Sequence, residues 1–233
     1  MSEVLPQAQP PAPGNEQPMP GVGEPPESST APPQEASGGD HEHSRELEPV
    51  LRPHIWVGSL LDYNCGVLHG EWVDAAQDDD ALIADVQHIL NTSPTMATTG
   101  EPAEDYGIFD YEDFGLYQVP EYDPLNHVAR IARGIRAHGP AFAAWAQLHD
   151  ADPAMLAGFE DAYLGAYESL AAWGQTVLDD LGIRDQIDQL LPAQLARYIH
   201  LDAAAWARDA HLSGDIAIVE TPGGGVWLFD ARQ

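Results

Sequence analysis

Carboxylates dominate the reactive side chains of this chain. Thirty-eight Asp and Glu stand against nine cations in 233 residues, a formal net charge of −29. All nine cations are arginine, and no lysine occurs. Several kinds of chemistry use carboxylates or their usual companions at defined spacing. Asp110, Glu112, Gly115 and Glu121 fall at positions one, three, six and twelve of an EF-hand-type calcium loop. Phe114 occupies a ligand position there and Pro120 precedes the bidentate one, so no calcium site is assigned. Glycoside hydrolysis uses two carboxylates, but the pair is defined by a separation in space, and with so many acids the sequence singles out none. The ten histidines show no ligand spacing, and His41 and His43 in HEH read as incidental. Cys65 is the single cysteine; it cannot close an internal disulfide, suits a reducing cytoplasm, and reads as a buried or idle thiol rather than a nucleophile.

Other chemistries are excluded by motif. A Walker loop needs a lysine that is not there. There is no G-x-S-x-G, no H-E-x-x-H and no C-x-x-C. No catalytic constellation emerges, no cofactor or metal is assigned, and the chain reads as a non-enzyme.

What remains is collective use of the charge. Residues 1–50 hold nine acids and Arg45, whereas residues 51–233 hold 29 acids and eight arginines, a net −21 in the segment rich in Trp, Tyr, Leu and Ile. The charge belongs to the folded part, where self-repulsion makes it costly. Carboxylates fixed on folded scaffolds can imitate a phosphate backbone. Two copies of residues 51–233 would carry −42, the charge of about 21 base pairs at roughly one charge per 1.7 Å. A Lys- and Arg-lined cleft that holds DNA attracts such a surface through the same field.

The elements that must hold these groups follow from periodicity and turn chemistry. Ile55, Val57 and Leu60 predict a strand, Asp62–Gly66 a turn, and Val67, Leu68, Trp72 and Val73 a second strand, with Gly70 a bulge or close approach. Asp78, Asp79 and Asp80 precede a helix whose stripe is Leu82, Ile83, Val86, Ile89 and Leu90, and there they also suit the helix dipole. Residues 91–105 read as a loop, and 106–111 as a strand. Asp123-Pro124 opens a helix with Leu125, Val128, Ala132 and Ile135 on its apolar face, ended by Gly139-Pro140. Arg130, Arg133 and Arg136 on this helix are expected to pair with carboxylates rather than to bind phosphate. Phe142, Trp145 and Leu148 mark a short helix. Asp152-Pro153 caps another with Met155, Leu156, Phe159 and Tyr163 on one side, and Ser169–Leu181 and Asp202–Leu212 are two more, with Trp206 facing in. GDIAIVE and VWLFD around Thr221–Gly225 make a hairpin.

Residues 1–50 carry eleven of the twenty prolines and read as a disordered, dispensable acidic tail. No stretch approaches the roughly 20 apolar residues that span a membrane, and no secretory signal is visible, so a cytoplasmic location is expected.

Three motifs resemble one family. Ser59, Tyr63, Asn64, Gly66, Gly70, Trp72 and Asp74 match S-x-x-x-Y-N-x-G-x-x-x-G-x-W-x-D of the ArdA antirestriction proteins. FDYEDFG (Phe109–Gly115) is similar to the segment that closes the first ArdA domain, and FEDAYLGAYES (Phe159–Ser169) to a motif of the last. The resemblance implies an α+β protein, an elongated chain of three small domains that forms a homodimer, mimics bent B-form DNA and blocks type I restriction–modification enzymes. It implies boundaries of 51–118 for an N-terminal α+β domain, 119–158 for a central helical domain and 159–233 for a C-terminal α+β domain with the terminal hairpin. The implied partners are the specificity and methyltransferase subunits of a type I enzyme, with no direct nucleic-acid contact and no membrane. The carboxylates expected to stand for phosphates are Asp62, Glu71, Asp74, Asp78, Asp79, Asp80, Glu104, Asp105, Asp110, Glu112, Asp113, Glu121, Asp123, Glu160, Asp161 and Glu168. After Ser169 this chain has Leu170-Ala171-Ala172-Trp173 where relatives often carry several acids. The competing reading is an acidic binding module, a buffer for basic proteins or calcium, in which shape does not matter.

Overall fold

The computed structural model describes residues 50–232, all within one contact unit, Arg45–Gln233. The expectations for residues 1–49 lie outside them. In chain order come β1 (His54–Ser59), α1 (Leu60–Asn64), β2 (Gly70–Asp74), α2 (Asp79–Asn91), α3 (Pro94–Thr99), β3 (Tyr106–Glu112), α4 (Leu125–His138), α5 (Pro140–Leu148) and α6 (Pro153–Ala157). They are followed by α7 (Phe159–Ala162), β4 (Tyr163–Tyr167), α8 (Leu170–Asp180), α9 (Ile183–Leu190), α10 (Ala193–Ala196), α11 (Ala203–Leu212), β5 (Ile216–Glu220) and β6 (Val226–Asp230). The fold is α+β with two antiparallel three-stranded sheets, ordered β2-β1-β3 and β4-β6-β5.

Alternation decides the first sheet. Ile55, Val57, Val73 and Ile108 point inward and are buried, while Trp56 and Trp72, directly paired in register, lie on the opposite face. The inner face meets α2, whose Leu82, Val86, Ile89 and Leu90 are buried at helical spacing. Ile83 of the expected stripe is instead exposed, because it lies off that face. α4 buries Leu125, Val128, Ala129, Ile131, Ala132 and Ile135. At Gly134 an added Cβ would meet the Phe142 ring at 2.2 Å, so α4 and α5 approach closely only because that residue is glycine. In α5 every residue from Ala141 to Ala146 is buried, and Trp145 Nε1 donates to the Met155 carbonyl at 2.7 Å.

The second sheet sits between two cores. Trp227 and Phe229 of β6 join the main cluster that begins at Ile55, and Leu228 between them joins Trp173, Ala207 and Ile216 in a smaller one. α8 and α11 touch at Gly174, where a Cβ would stand 2.6 Å from the Ala203 carbonyl oxygen.

Several expectations change. The predicted turn after β1 is the helix α1, capped by Ser59 Oγ accepting from the Asp62 amide at 3.3 Å, and it takes in Leu60. β2 starts only at Gly70, leaving Val67 and Leu68 exposed outside it. The 91–105 loop contains α3, with Ser93 as its cap. The helix expected through Tyr163 breaks at Gly158, and Tyr163 opens a strand that pairs with β6. Leu148 and Trp206 are partly exposed; Trp206 stacks on Trp173, with ring centroids 5.1 Å apart. Helices α9 and α10 have no counterpart in the sequence reading. Of the two readings of Cys65, buried or idle, the buried one falls, because the residue is exposed with a free thiol. The proposed boundaries at Gln118 and Gly158 fall between β3 and α4 and between α6 and α7.

Candidate partner-binding carboxylates

Two of the sixteen candidate carboxylates are interior, and for them the expectation of a phosphate-like role is corrected. Asp62 is fully buried: its Oδ1 accepts from the Thr95 amide at 2.9 Å, capping α3 alongside Ser93, while Oδ2 has no partner. Burial pushes its pKa up, but the surrounding Ser93, Thr95 and Ser59 hydroxyls and the Thr95 amide outweigh it and hold the carboxyl below the usual range. Asp123 is buried between Tyr117 and His127. It accepts from Tyr117 Oη at 3.5 Å and faces His127 Nδ1 at 2.9 Å, while His127 Nε2 lies 3.1 Å from the Ala151 carbonyl. Burial and the Asp123 charge push the Tyr117 phenol up to about 12. Burial pulls the His127 pKa down, yet hydrogen bonds to Asp123 and Ala151 more than offset it, so the net shift is upward.

Two more are half-exposed and paired. Arg133 of α4 donates to Asp79 at 2.8 Å and to the Gln77 carbonyl, and Arg136 donates to Asp74. Burial pushes the Asp74 carboxyl up, while the Ala76 amide and Arg136 hold it below its ordinary value overall. These arginines tie α4 to the end of β2 and the start of α2, as ion pairs rather than a phosphate site. Being partly exposed, each pair contributes about 0–1 kcal/mol. Arg130 is exposed and makes no ion pair among the described residues.

The other twelve are exposed: Glu71, Asp78, Asp80, Glu104, Asp105, Asp110, Glu112, Asp113, Glu121, Glu160, Asp161 and Glu168. Rigid backbone holds many of them. Asp78 precedes α2 in extended conformation without capping it through its side chain, which leaves its carboxylate turned to water. Asp110 and Glu112 ride on β3, and Asp113 sits at φ 62°, its Oδ2 accepting from the Arg52 amide at 3.1 Å. Glu160 and Asp161 lie on α7, with Glu160 3.9 Å from His138. The sequence reading also passed over exposed acids on the polar faces of helices, among them Asp85 on α2, Asp179 and Asp180 on α8, and Asp185 and Asp188 on α9. Their helical spacing opposite apolar stripes was the available signal.

Arginine pairs take up Asp74, Asp79, Asp188 and Asp230, which leaves 25 of the 29 acids in this region without an ion pair to an arginine side chain among the described residues. No group of three or more His, Cys, Asp or Glu is placed to hold a metal ion among the described residues. No helix among them is long and apolar enough to cross a membrane. A folded, acidic and largely unneutralised surface is the setting in which the family comparison has meaning. The family described as antirestriction protein (ArdA) matches residues 55–223.

The chain belongs to the ArdA antirestriction family.

A search of curated proteins returned no match to it. The ArdA match runs from β1 through β5 and takes in all three motifs on which the resemblance rests. In the ArdA-like signature of this chain, Ser59 caps α1, Gly66 takes φ 76° and Gly70 permits a close strand approach; Tyr63 and Trp72 are exposed.

Proposed function

We propose that this ArdA-family protein is a DNA mimic that occupies the DNA-binding cleft of type I restriction–modification enzymes, contacting their specificity and methyltransferase subunits. The observation that carries this reading is the set of twelve exposed carboxylates on folded segments, with only eight arginines against 29 acids in residues 51–233 and four of the eight already paired. Such a surface binds by a distributed field, without a reacting group, and excludes incoming DNA by occupancy. Segments 51–118, 119–158 and 159–233 would each contribute carboxylates to it. Two copies meeting through the last segment would double its charge.

The test is affinity for a type I methyltransferase complex over a salt series, for wild type and for variants neutralised cumulatively at Asp78, Asp80, Glu104, Asp105, Asp110, Glu112, Asp113 and Glu121. The reading expects stepwise weakening and a salt slope that flattens with each removed charge, since screening lengths fall from about 10 Å at 0.1 M to about 3 Å at 1 M. A salt-insensitive affinity, or one carboxylate carrying the whole effect, overturns it.

A further inference from the structure

The distributed field leaves one surface unexplained. The face of the first sheet that turns away from the core is aromatic. Trp72 and Trp56 are paired across β2 and β1, and Asp110 is paired with Trp56 across β1 and β3, so the three form a row on that face. A register shift between Trp56 and Val57 leaves Phe109 without a partner and turns it to the same side. The Phe109 ring then lies 5.7 Å from Trp56 and 4.9 Å from Tyr63, centroid to centroid.

Glycines make room for these rings. A Cβ on Gly58 would stand 2.8 Å from both Trp56 and Phe109, and one on Gly70 2.7 Å from Trp56. Tyr63 is 57% exposed and Trp72 44%. Beside them Tyr63, Phe109, Tyr111 and Glu121 line an open cleft of about 320 Å³ with no basic residue in its wall. Exposed aromatic rings add nothing to a phosphate imitation, yet Tyr63 and Trp72 stay open to solvent while Trp56 and Phe109 are half-buried beside them.

We infer that this face is a receiving site for an arginine side chain of the protein partner. A guanidinium is flat, always charged and weakly hydrated, so it stacks on an aromatic face while its edge donates to carboxylates. The rings of Tyr63 and Phe109 supply the face, and Glu121 and Asp110 supply acceptors at its rim. Charge complementarity decides the occupant: the surroundings are acidic, and between Arg52 and Arg130 the chain has no arginine or lysine of its own. The inference rests on the reading of the partner as a basic cleft, and adds an attachment that salt screens far less than it screens the carboxylate array.

The test uses the full chain and three short peptides that differ at one residue: arginine, lysine, or citrulline, which keeps the plane and loses the charge. Binding is followed by NMR at 0.1 and 0.5 M salt. The arginine peptide is expected to bind, with its side-chain methylene protons shifted upfield by the rings, about three- to tenfold tighter than the lysine peptide, and the citrulline peptide not to bind. Tyr63→Ser with Trp72→Ser should remove that preference at both salts, and Tyr63→Leu, which keeps apolar bulk, should do so as well. Equal binding of the arginine and lysine peptides, or an arginine preference that survives loss of Tyr63, overturns the inference. Either result leaves wild-type affinity for a methyltransferase intact, whereas loss of that affinity would overturn the mimic reading instead.

Discussion

The two sheets have the same number of strands and the same antiparallel pairing, but they are finished differently. In β4-β6-β5 the central strand is covered on both faces: Trp227 and Phe229 enter the main core and Leu228 the smaller one. In β2-β1-β3 one face meets the core, and the other carries the exposed Trp72 with the half-buried Trp56 and Phe109, beside Asp110 and Glu121. A sheet closed on both sides serves stability. A sheet with an open aromatic face has surface left over for a partner.

The sharpest way to break this contrast is to cut the same kind of residue from each sheet. Phe229→Ala should cost about 3–5 kcal/mol in urea unfolding, because the site is fully enclosed. Trp72→Ser on the open face should cost less than about 1 kcal/mol, since much of the ring is already in water. Equal losses would remove the distinction between the sheets.

Next in size is the buried carboxylate beneath the open sheet. Asp62→Ala should cost about 1–3 kcal/mol by orphaning the Thr95 amide. The folded pKa of Asp62 is lowered, so its contribution is present above the unfolded value near 3.9 and is lost as pH falls through the folded one. Asp62→Asn should therefore flatten the acid side of the stability–pH curve; an unchanged acid limb would show that Asp62 is not charged in the fold.

His127 gives a smaller effect of opposite sign. Both ring nitrogens face acceptors, so both bonds form only in the imidazolium. Its pKa is raised, so the stability it adds is fully present below the unfolded value near 6.5 and is lost as pH rises through the folded value. Wild type should lead His127→Gln by about 0.5–1.5 kcal/mol at pH 6, with the lead shrinking toward pH 9. A lead that grows with pH would reverse the assignment.

Smallest of all is the expected effect of Glu121→Gln on stability, within about 0.5 kcal/mol, because this side chain is exposed. Its effect should appear in partner affinity instead, and a large unfolding shift would place Glu121 in the framework of the open sheet.

The sequence by itself determined those features whose physics is local. The stripe Leu82, Val86, Ile89 and Leu90, the Asp152 cap, the Gly139 stop and the terminal hairpin depend on neighbours a few residues away, and each is present. The excess of acid in the folded part and the ArdA resemblance were equally legible, the first from counting and the second from fixed spacing. Tertiary structure alone decided what depends on distant partners. FEDAYLGAYES has helix-compatible spacing, yet Tyr163–Tyr167 became a strand because β6 offered it an edge. Asp62 and Asp123 look like any other acid in the sequence, and only Thr95, Tyr117 and His127 brought against them make them interior. The aromatic face of the first sheet was hidden for the same reason. Trp56, Tyr63, Trp72 and Phe109 are scattered along the chain, and strand register, together with one bulge and the glycines beneath them, is what gathers them on one side.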